Sequence, residues 1–262
     1  MSDADTPAGH VLLCHVSVSA GAPIALGACL SAATRPREPG PRDCPWDPTE
    51  TDGGGPVSAG CWEELERPWR EAFELMWEAY QAGSIPVGAA LADETGAVVA
   101  RSRNRIFEQE RPAGELSWSR LAHAEFNVIV GLSSERTYED WTLYSTLEPC
   151  LFCLGAAYAI RVGRLLYAGA DRYAGACGNV EATDDMRTHP VVVDGPLESS
   201  LGLVAEALHI AFFLKHRPDG NVIASYRRQD PGLVERAAAI SPSPGSFHDA
   251  LPRLLAALGQ RE

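Results

Sequence analysis

The sequence predicts an α/β fold with a central sheet. Short segments rich in β-branched and small apolar residues alternate with apolar stretches at helical spacing, and glycine- or proline-bearing turns separate them. Size agrees, since 262 residues with 45% hydrophobic and 22% charged side chains suit a soluble globular chain large enough to bury an enzyme-sized site.

Taken in order, residues 1–60 are rich in Gly, Pro, Ala and Asp, and RPREPGPRDCPWDPTETDGGGP has no apolar period. This stretch reads as a disordered N-terminal extension. From Pro68, PWREAFELMWEAYQAG sets Trp69, Phe73, Met76 and Tyr80 at helical spacing, with Pro68 in the first turn and Gly83 just past the end. PVGAALAD and AVVARSRN read as two strands joined by the turn ETG. A loop through EQERPAGELSWSR then leads to an apolar segment, residues 122–132, expected to be helical. WTLYSTL is a strand, residues 150–161 a helix, RLLYAGA a strand and PVVVDG a weaker one. The last strong helix is SSLGLVAEALHIAFFLKHR, with Leu203, Leu208, Ala211 and Phe212 expected to face inward. The folded domain is placed at 61–217, with 218–262 a C-terminal tail holding short helices.

Composition narrows the partners. A formal charge of -13 lacks the basic footprint that nucleic-acid binders show toward phosphate. A local candidate for one is Lys215 and Arg217 with Arg227 and Arg228. No apolar run is long enough to span a membrane, and the early apolar stretch follows acidic residues and is broken by His, Ser, Gly and Pro, unlike a standard signal peptide. The 7 cysteines are odd in number and irregularly spaced, so a disulfide framework is not expected and a reduced, cytoplasmic compartment is.

The chemistry gathers in two places, A-H-A-E with His123 and Glu125, and E-P-C-L-F-C with Cys150 and Cys153. A C-x-x-C pair by itself serves equally as a redox pair or half of a structural zinc site. One His and two Cys, however, supply the three protein ligands of a catalytic zinc, whose fourth position stays open. Two cysteines three apart share a face at the first turn of a helix, where Pro149 is tolerated and the exposed N–H groups favour thiolates. His123 and Glu125 lie two residues apart, which a helix interior would point to opposite sides. They converge only at the end of a helix, where Glu125 stays unligated and free to exchange protons beside the metal.

H-A-E followed after 23 residues by P-C-x-x-C resembles the signature of the zinc-dependent cytidine/deoxycytidylate deaminase superfamily. The likeness is greatest to the tRNA adenosine deaminase branch and its guanine and nucleoside deaminase relatives. It spans roughly Pro68 to Arg217 and includes PVGAAL, the Asn104 of RNR, TLYSTLEPCLFC, GADRYAGACG and FFLKHR. The resemblance implies a three-layer α/β/α sandwich with a central mixed five-stranded sheet, one Zn2+ per chain, and a homodimer. It also implies that His123, Cys150 and Cys153 bind the zinc, that Glu125 shuttles protons, that Asn104 hydrogen-bonds the target base, and that the Cys150 N–H helps hold the oxygen on the metal. The reaction so implied is attack of a zinc-activated water on the amine-bearing ring carbon, with release of ammonia.

Substrate is read from what differs. Where the tRNA-acting branch usually carries D-P-T before its A-H-A-E, this chain has S-R-L, and its loop between Asn104 and His123 is longer. With the acidic balance, this favours a small-molecule nucleobase or nucleoside, with tRNA adenosine as the alternative. A non-catalytic zinc-containing binding protein is the alternative from another class. Among the tryptophans, Trp118 is the one considered as a base-stacking surface, because its loop leads into the motif. His189, His209 and His216 are expected on the surface or in packing, and Cys177 as a bystander.

Overall fold

The computed structural model describes Trp62 and residues 64–197 and 199–259. The expectation for residues 1–60 lies outside them. The first helix, α1 (Arg67–Gln81), forms because an apolar stripe recurs every three to four residues and Pro68 occupies the first turn, where its missing N–H is harmless. Trp69, Ala72, Phe73, Met76, Trp77 and Tyr80 of that stripe are buried. Gly83, at φ +73°, ends it, with Gly83 N–H donating to Tyr80 and Ser84 N–H to Ala79.

Two strands follow, β1 (Gly88–Ala92) and β2 (Val98–Arg103), paired antiparallel around the tight turn at Gly96. Next come α2 (Ala124–Ile129), β3 (Tyr138–Leu147), α3 (Leu151–Ile160) and β4 (Val162–Gly169). A 3-10 turn at Cys177–Asn179, the short α4 (Asp184–Thr188) and the strand β5 (Val192–Asp194) complete the sheet region. The sheet runs β2-β1-β3-β4-β5, with β1 antiparallel to β2 and β3, and β3, β4 and β5 parallel. It is therefore mixed and five-stranded.

Alternation along the strands feeds two cores. Ala89, Leu91, Leu143 and Leu165 face α2 and α3, where Val128, Ile129, Leu154 and Ala157 meet them. Ala90, Ala92, Tyr144 and Ala168 face α1 and α5 (Ser200–His216) on the other side. These layers make the α/β/α sandwich. On α5, Leu208, Ala211 and Phe212 are buried, while Leu203 is only partly so. The approach of β1 to α1 requires Gly88, since a Cβ there would stand 2.0 Å from the Ala72 carbonyl oxygen.

Residues 218–259 fold into α6 (Asn221–Gln229), α7 (Pro231–Ala237) and α8 (Phe247–Gly259). Their apolar faces join the same core as α1: Phe247 stacks on Phe73 with centroids 5.3 Å apart. Trp77 Nε1 donates to the Gly245 carbonyl at 3.1 Å, and Tyr80 Oη to that of Ile240 at 3.2 Å. No described helix is long and apolar enough to cross a membrane.

Candidate active site

The site lies past the carboxyl ends of the parallel strands β3 and β4, where two helices begin. Cys150 is the N-cap of α3 and His123 the N-cap of α2, both extended, at ψ 170° and 150°. An N-cap residue has not yet entered the helical spiral, so its side chain reaches over the helix start. Glu125, inside the first turn of α2, turns toward the same point. The two-residue separation that a helix interior would hold apart is thus closed by the extended backbone of His123. Helix α2 is shorter than the 122–132 segment because Leu121 to His123 form a turn, His123 N–H donating to Leu121.

His123 Nδ1 lies 3.7 Å from Cys150 Sγ and 3.5 Å from Cys153 Sγ, and the three ligand atoms all fall within 4.8 Å of one another. Tetrahedral zinc with ~2.3 Å sulfur and ~2.0–2.1 Å nitrogen bonds calls for nitrogen–sulfur edges of about 3.6 Å. Donor chemistry and spacing both fit zinc, and these three residues could hold it. A hydrogen bond from Cys153, resisted by burial and helped by His123, pulls the Cys150 thiol down to about 4, so this sulfur is ready as a thiolate. Cys153, the buried donor of that bond, is pushed up correspondingly.

Glu125 is 4% exposed, and burial raises its carboxyl above the ordinary range while the charge of His123 opposes. It lines a cavity of about 190 Å³ together with His123, Cys150 and Asn104. Asn104, 3% exposed, accepts on Oδ1 from Ser84 Oγ at 3.0 Å and from the Ile106 N–H at 3.1 Å, which leaves its amide NH₂ as the donor available to a ligand.

Several lining residues escaped the sequence reading. Glu148 precedes the P-C-x-x-C motif and ties the loop after β4 to it, its carboxylate accepting from the N–H groups of Asp171 at 3.3 Å and Cys177 at 3.1 Å. Gly175 must be glycine to pass that carboxylate, because a Cβ would stand 2.2 Å from Glu148 Oε2. Asp171 and Tyr173 line the cavity from the same loop, Phe213 from α5 and Val222 from α6. His209, expected on the surface or in packing, is 4% exposed and lines the cavity as well. Helix α5, packed on the sheet face, brings His209 and Phe213 to the cavity, a placement that no local pattern reveals.

Trp118 does not line the cavity. It sits at φ 50° in a turn whose N–H donates to Arg105, and this turns its ring outward, 62% exposed. His189 is exposed beside Asp185, and burial lifts the Cys177 thiol to about 12, as befits an unreactive packing residue. Lys215, Arg217, Arg227 and Arg228 are exposed near the carboxyl ends of α5 and α6.

Residues 63–169 match the family model of the cytidine and deoxycytidylate deaminase zinc-binding region. The tRNA-specific adenosine deaminase of Haemophilus influenzae is 32% identical over 164 residues, covering 60% of this chain and 87% of that protein. The tRNA(Ile)-lysidine synthase of Deinococcus radiodurans is 37% identical over 122 residues, but the chain spans only 19% of its length. A solved structure from studies of A-to-I editing by tRNA:A34 deaminases shares 32% identity, covering 49% of this chain and 92% of that one with a TM-score of 0.37. With the ligand triad, the unligated glutamate beside it and this match in sequence, the chain belongs to the zinc-dependent cytidine and deoxycytidylate deaminase family, hydrolases acting on C–N bonds of cyclic amidines.

Proposed function

We propose that this chain converts the exocyclic amine of a nucleobase or nucleoside to a carbonyl and releases ammonia. The observation that carries the reading is the position of Glu125, which is buried, lines the same cavity as His123 and Cys150, and is not one of the three ligands. A structural metal site has no use for such a carboxylate. Bound zinc supplies the acidity that makes a water nucleophilic near neutral pH. Glu125 takes a proton from the water and delivers it to the departing amine nitrogen, and its raised affinity for protons suits it to both steps. Asn104 holds the base through its amide NH₂, and the apolar side chains of Ile85, Val87, Leu147 and Phe213 cover the ring and exclude water.

Among the residues lining the cavity, none is Lys or Arg, while Glu125, Glu148 and Asp171 are acidic. That lining supports a substrate without a phosphate inside the cavity. The experiment is ammonia release from a panel of cytosine, guanine, adenine and their nucleosides, with Glu125→Ala alongside. Turnover abolished in the variant, with zinc still stoichiometric, supports the reading; undiminished turnover removes Glu125 from the mechanism. Any zinc-dependent turnover also excludes a non-catalytic zinc-containing binding protein.

A second reading, adenosine in tRNA, is favoured by the name of the Haemophilus relative. Inosine appearing in tRNA while the whole panel stays silent would establish it. The assembly we propose is a cytoplasmic homodimer. Exposed Leu151 and Phe152 at the start of α3, with Phe126 of α2 packed on Phe152 at 4.6 Å, give an apolar surface beside the metal site that suits a second copy. Sedimentation equilibrium tests it, and a monomer at micromolar concentration refutes it.

A further inference from the structure

The metal ligands and Glu125 all fall within the matched residues 63–169, but part of the cavity wall does not. Asp171, Tyr173, His209, Phe213 and Val222 come from beyond it, on the loop after β4 and on α5 and α6. The features by which this chain chooses its own ligand are to be sought on that wall, and His209 is its most tightly specified polar group.

The His209 ring is held on two sides, edge-on to Phe213 with centroids 5.0 Å apart and to Tyr226 with centroids 5.9 Å apart. Nδ1 lies 3.4 Å from Tyr226 Oη. That hydroxyl donates its single proton to the Ala170 carbonyl at 3.1 Å and accepts from the Arg172 N–H at 3.4 Å. With its proton committed, Tyr226 can only accept from His209, so the imidazole proton belongs on Nδ1. Nε2 keeps a lone pair, has no partner among the described residues, and belongs to a ring that lines the cavity. Burial keeps the imidazole neutral, against the pull of Asp171. Asp171 is an acceptor too, its Oδ1 taken by the N–H groups of Tyr173 at 2.9 Å and Ala174 at 3.0 Å. This wall therefore asks its ligand for hydrogen-bond donors.

We infer that His209 is a specificity-determining residue whose Nε2 accepts a hydrogen bond from a ring N–H of the substrate, and that the substrate is accordingly a free nucleobase rather than its N-glycoside. The inference rests on the deaminase reading for why a base enters the cavity. A free purine or pyrimidine carries an N–H at the ring nitrogen that a sugar replaces in a nucleoside or in nucleic acid. Glycosylation removes the donor and leaves the Nε2 lone pair facing the ligand without a partner, the kind of mismatch by which polar sites reject close analogues most strongly. The volume agrees, since about 190 Å³ falls below the ~300–1,000 Å³ of sites for drug-sized ligands and suits a single heterocycle.

Two measurements keep this inference separate from the deaminase reading. Ammonia release by the zinc-loaded full chain tests the reaction. Equilibrium binding of cytosine, adenine, guanine and their ribonucleosides to the zinc-loaded Glu125→Gln chain tests His209. The expected result is a base bound at least about tenfold more tightly than its nucleoside, with His209→Phe erasing most of that advantage and His209→Gln, which retains an acceptor, restoring part of it. Histidine ¹⁵N shifts should show the Nδ1–H tautomer at His209, and Tyr226→Phe should lose it. A folded His209→Phe chain that binds the base unchanged overturns the inference, as does a nucleoside bound as tightly as its base, or no binding of any base. If His209→Phe does not fold, the base-to-nucleoside ratio and the tautomer decide. Base binding that depends on His209 without any ammonia release removes the deaminase reading and leaves this inference standing.

Discussion

Ser145 Oγ sits 3.3 Å from Glu125 Oε1 and at the same time donates to the Leu147 carbonyl at 2.7 Å. A hydroxyl has one proton, and the shorter contact claims it, so Ser145 turns a lone pair toward Glu125. It is thereby suited to orient the carboxyl while it carries a proton. Ser145→Ala is expected to lower kcat about tenfold with KM little changed and zinc content intact. A proportional rise in KM instead would show that the hydroxyl serves binding and not the carboxyl.

Metal removal should separate activity from fold. The ligands stand at two helix starts, outside the apolar clusters that face α1 and α5. Chelation is expected to abolish turnover reversibly while far-UV circular dichroism persists, unlike small domains that unfold without their zinc. Cys153→Ser should weaken zinc binding by well over tenfold, measured by competition with a chromogenic chelator.

Asn104 offers its donor to the cavity because Ser84 and Ile106 fix its oxygen. Asn104→Asp replaces that donor with an acceptor and should raise KM about tenfold or more, with a smaller effect on kcat. Asn104→Ala with unchanged KM would remove it from substrate binding.

Burial lowers the His209 pKa, so the unfolded chain takes a proton that the folded chain refuses. Its contribution to stability is complete above the ordinary His value of about 6.5 and declines as pH falls through it. Carboxylates with raised values, Glu206 among them, bend the curve the other way, so the difference between variants is the measure. The urea midpoint of the unsubstituted chain is expected to fall more than that of His209→Gln between pH 7 and pH 5. Parallel curves would deny that the buried ring is neutral.

The C-terminal helices are expected to matter for stability at a distance from the site. Phe247 is fully buried between Phe73 and Trp62, so Phe247→Ala should cost about 3–5 kcal/mol in urea unfolding and leave KM unchanged. A loss below 1 kcal/mol would mean that α8 adds little to the core.

Legibility followed the range of the interactions involved. Helix α1 was readable because its stripe, its proline and its terminal glycine lie within twenty residues. The clustering of His123, Cys150 and Cys153 was readable because the two cysteines share one helical turn and His123 precedes a helix, so residue type and spacing already limit the geometry. Ser145 and Thr146 left only a weak trace, two polar residues in the buried carboxyl half of a strand whose first half already carries Glu139, Asp140 and Thr142. Trp118 misled because nearness in sequence to the motif says nothing about direction, and its side chain, in a turn at φ 50°, is 62% exposed and outside the cavity.

By itself the sequence determined an α/β fold and singled out His123, Cys150, Cys153 and Glu125 as a group, since hydrophobic period and residue spacing are local properties of the chain. The far wall of the cavity was decided only in three dimensions. His209, Phe213 and Val222 line one cavity with Glu125 across some ninety residues because α5 packs on the sheet and α6 on α5, and Tyr226 sets the proton of His209 through a contact between two different helices. Packing between layers depends on how all the apolar faces fit at once, and no short stretch of residues contains that information.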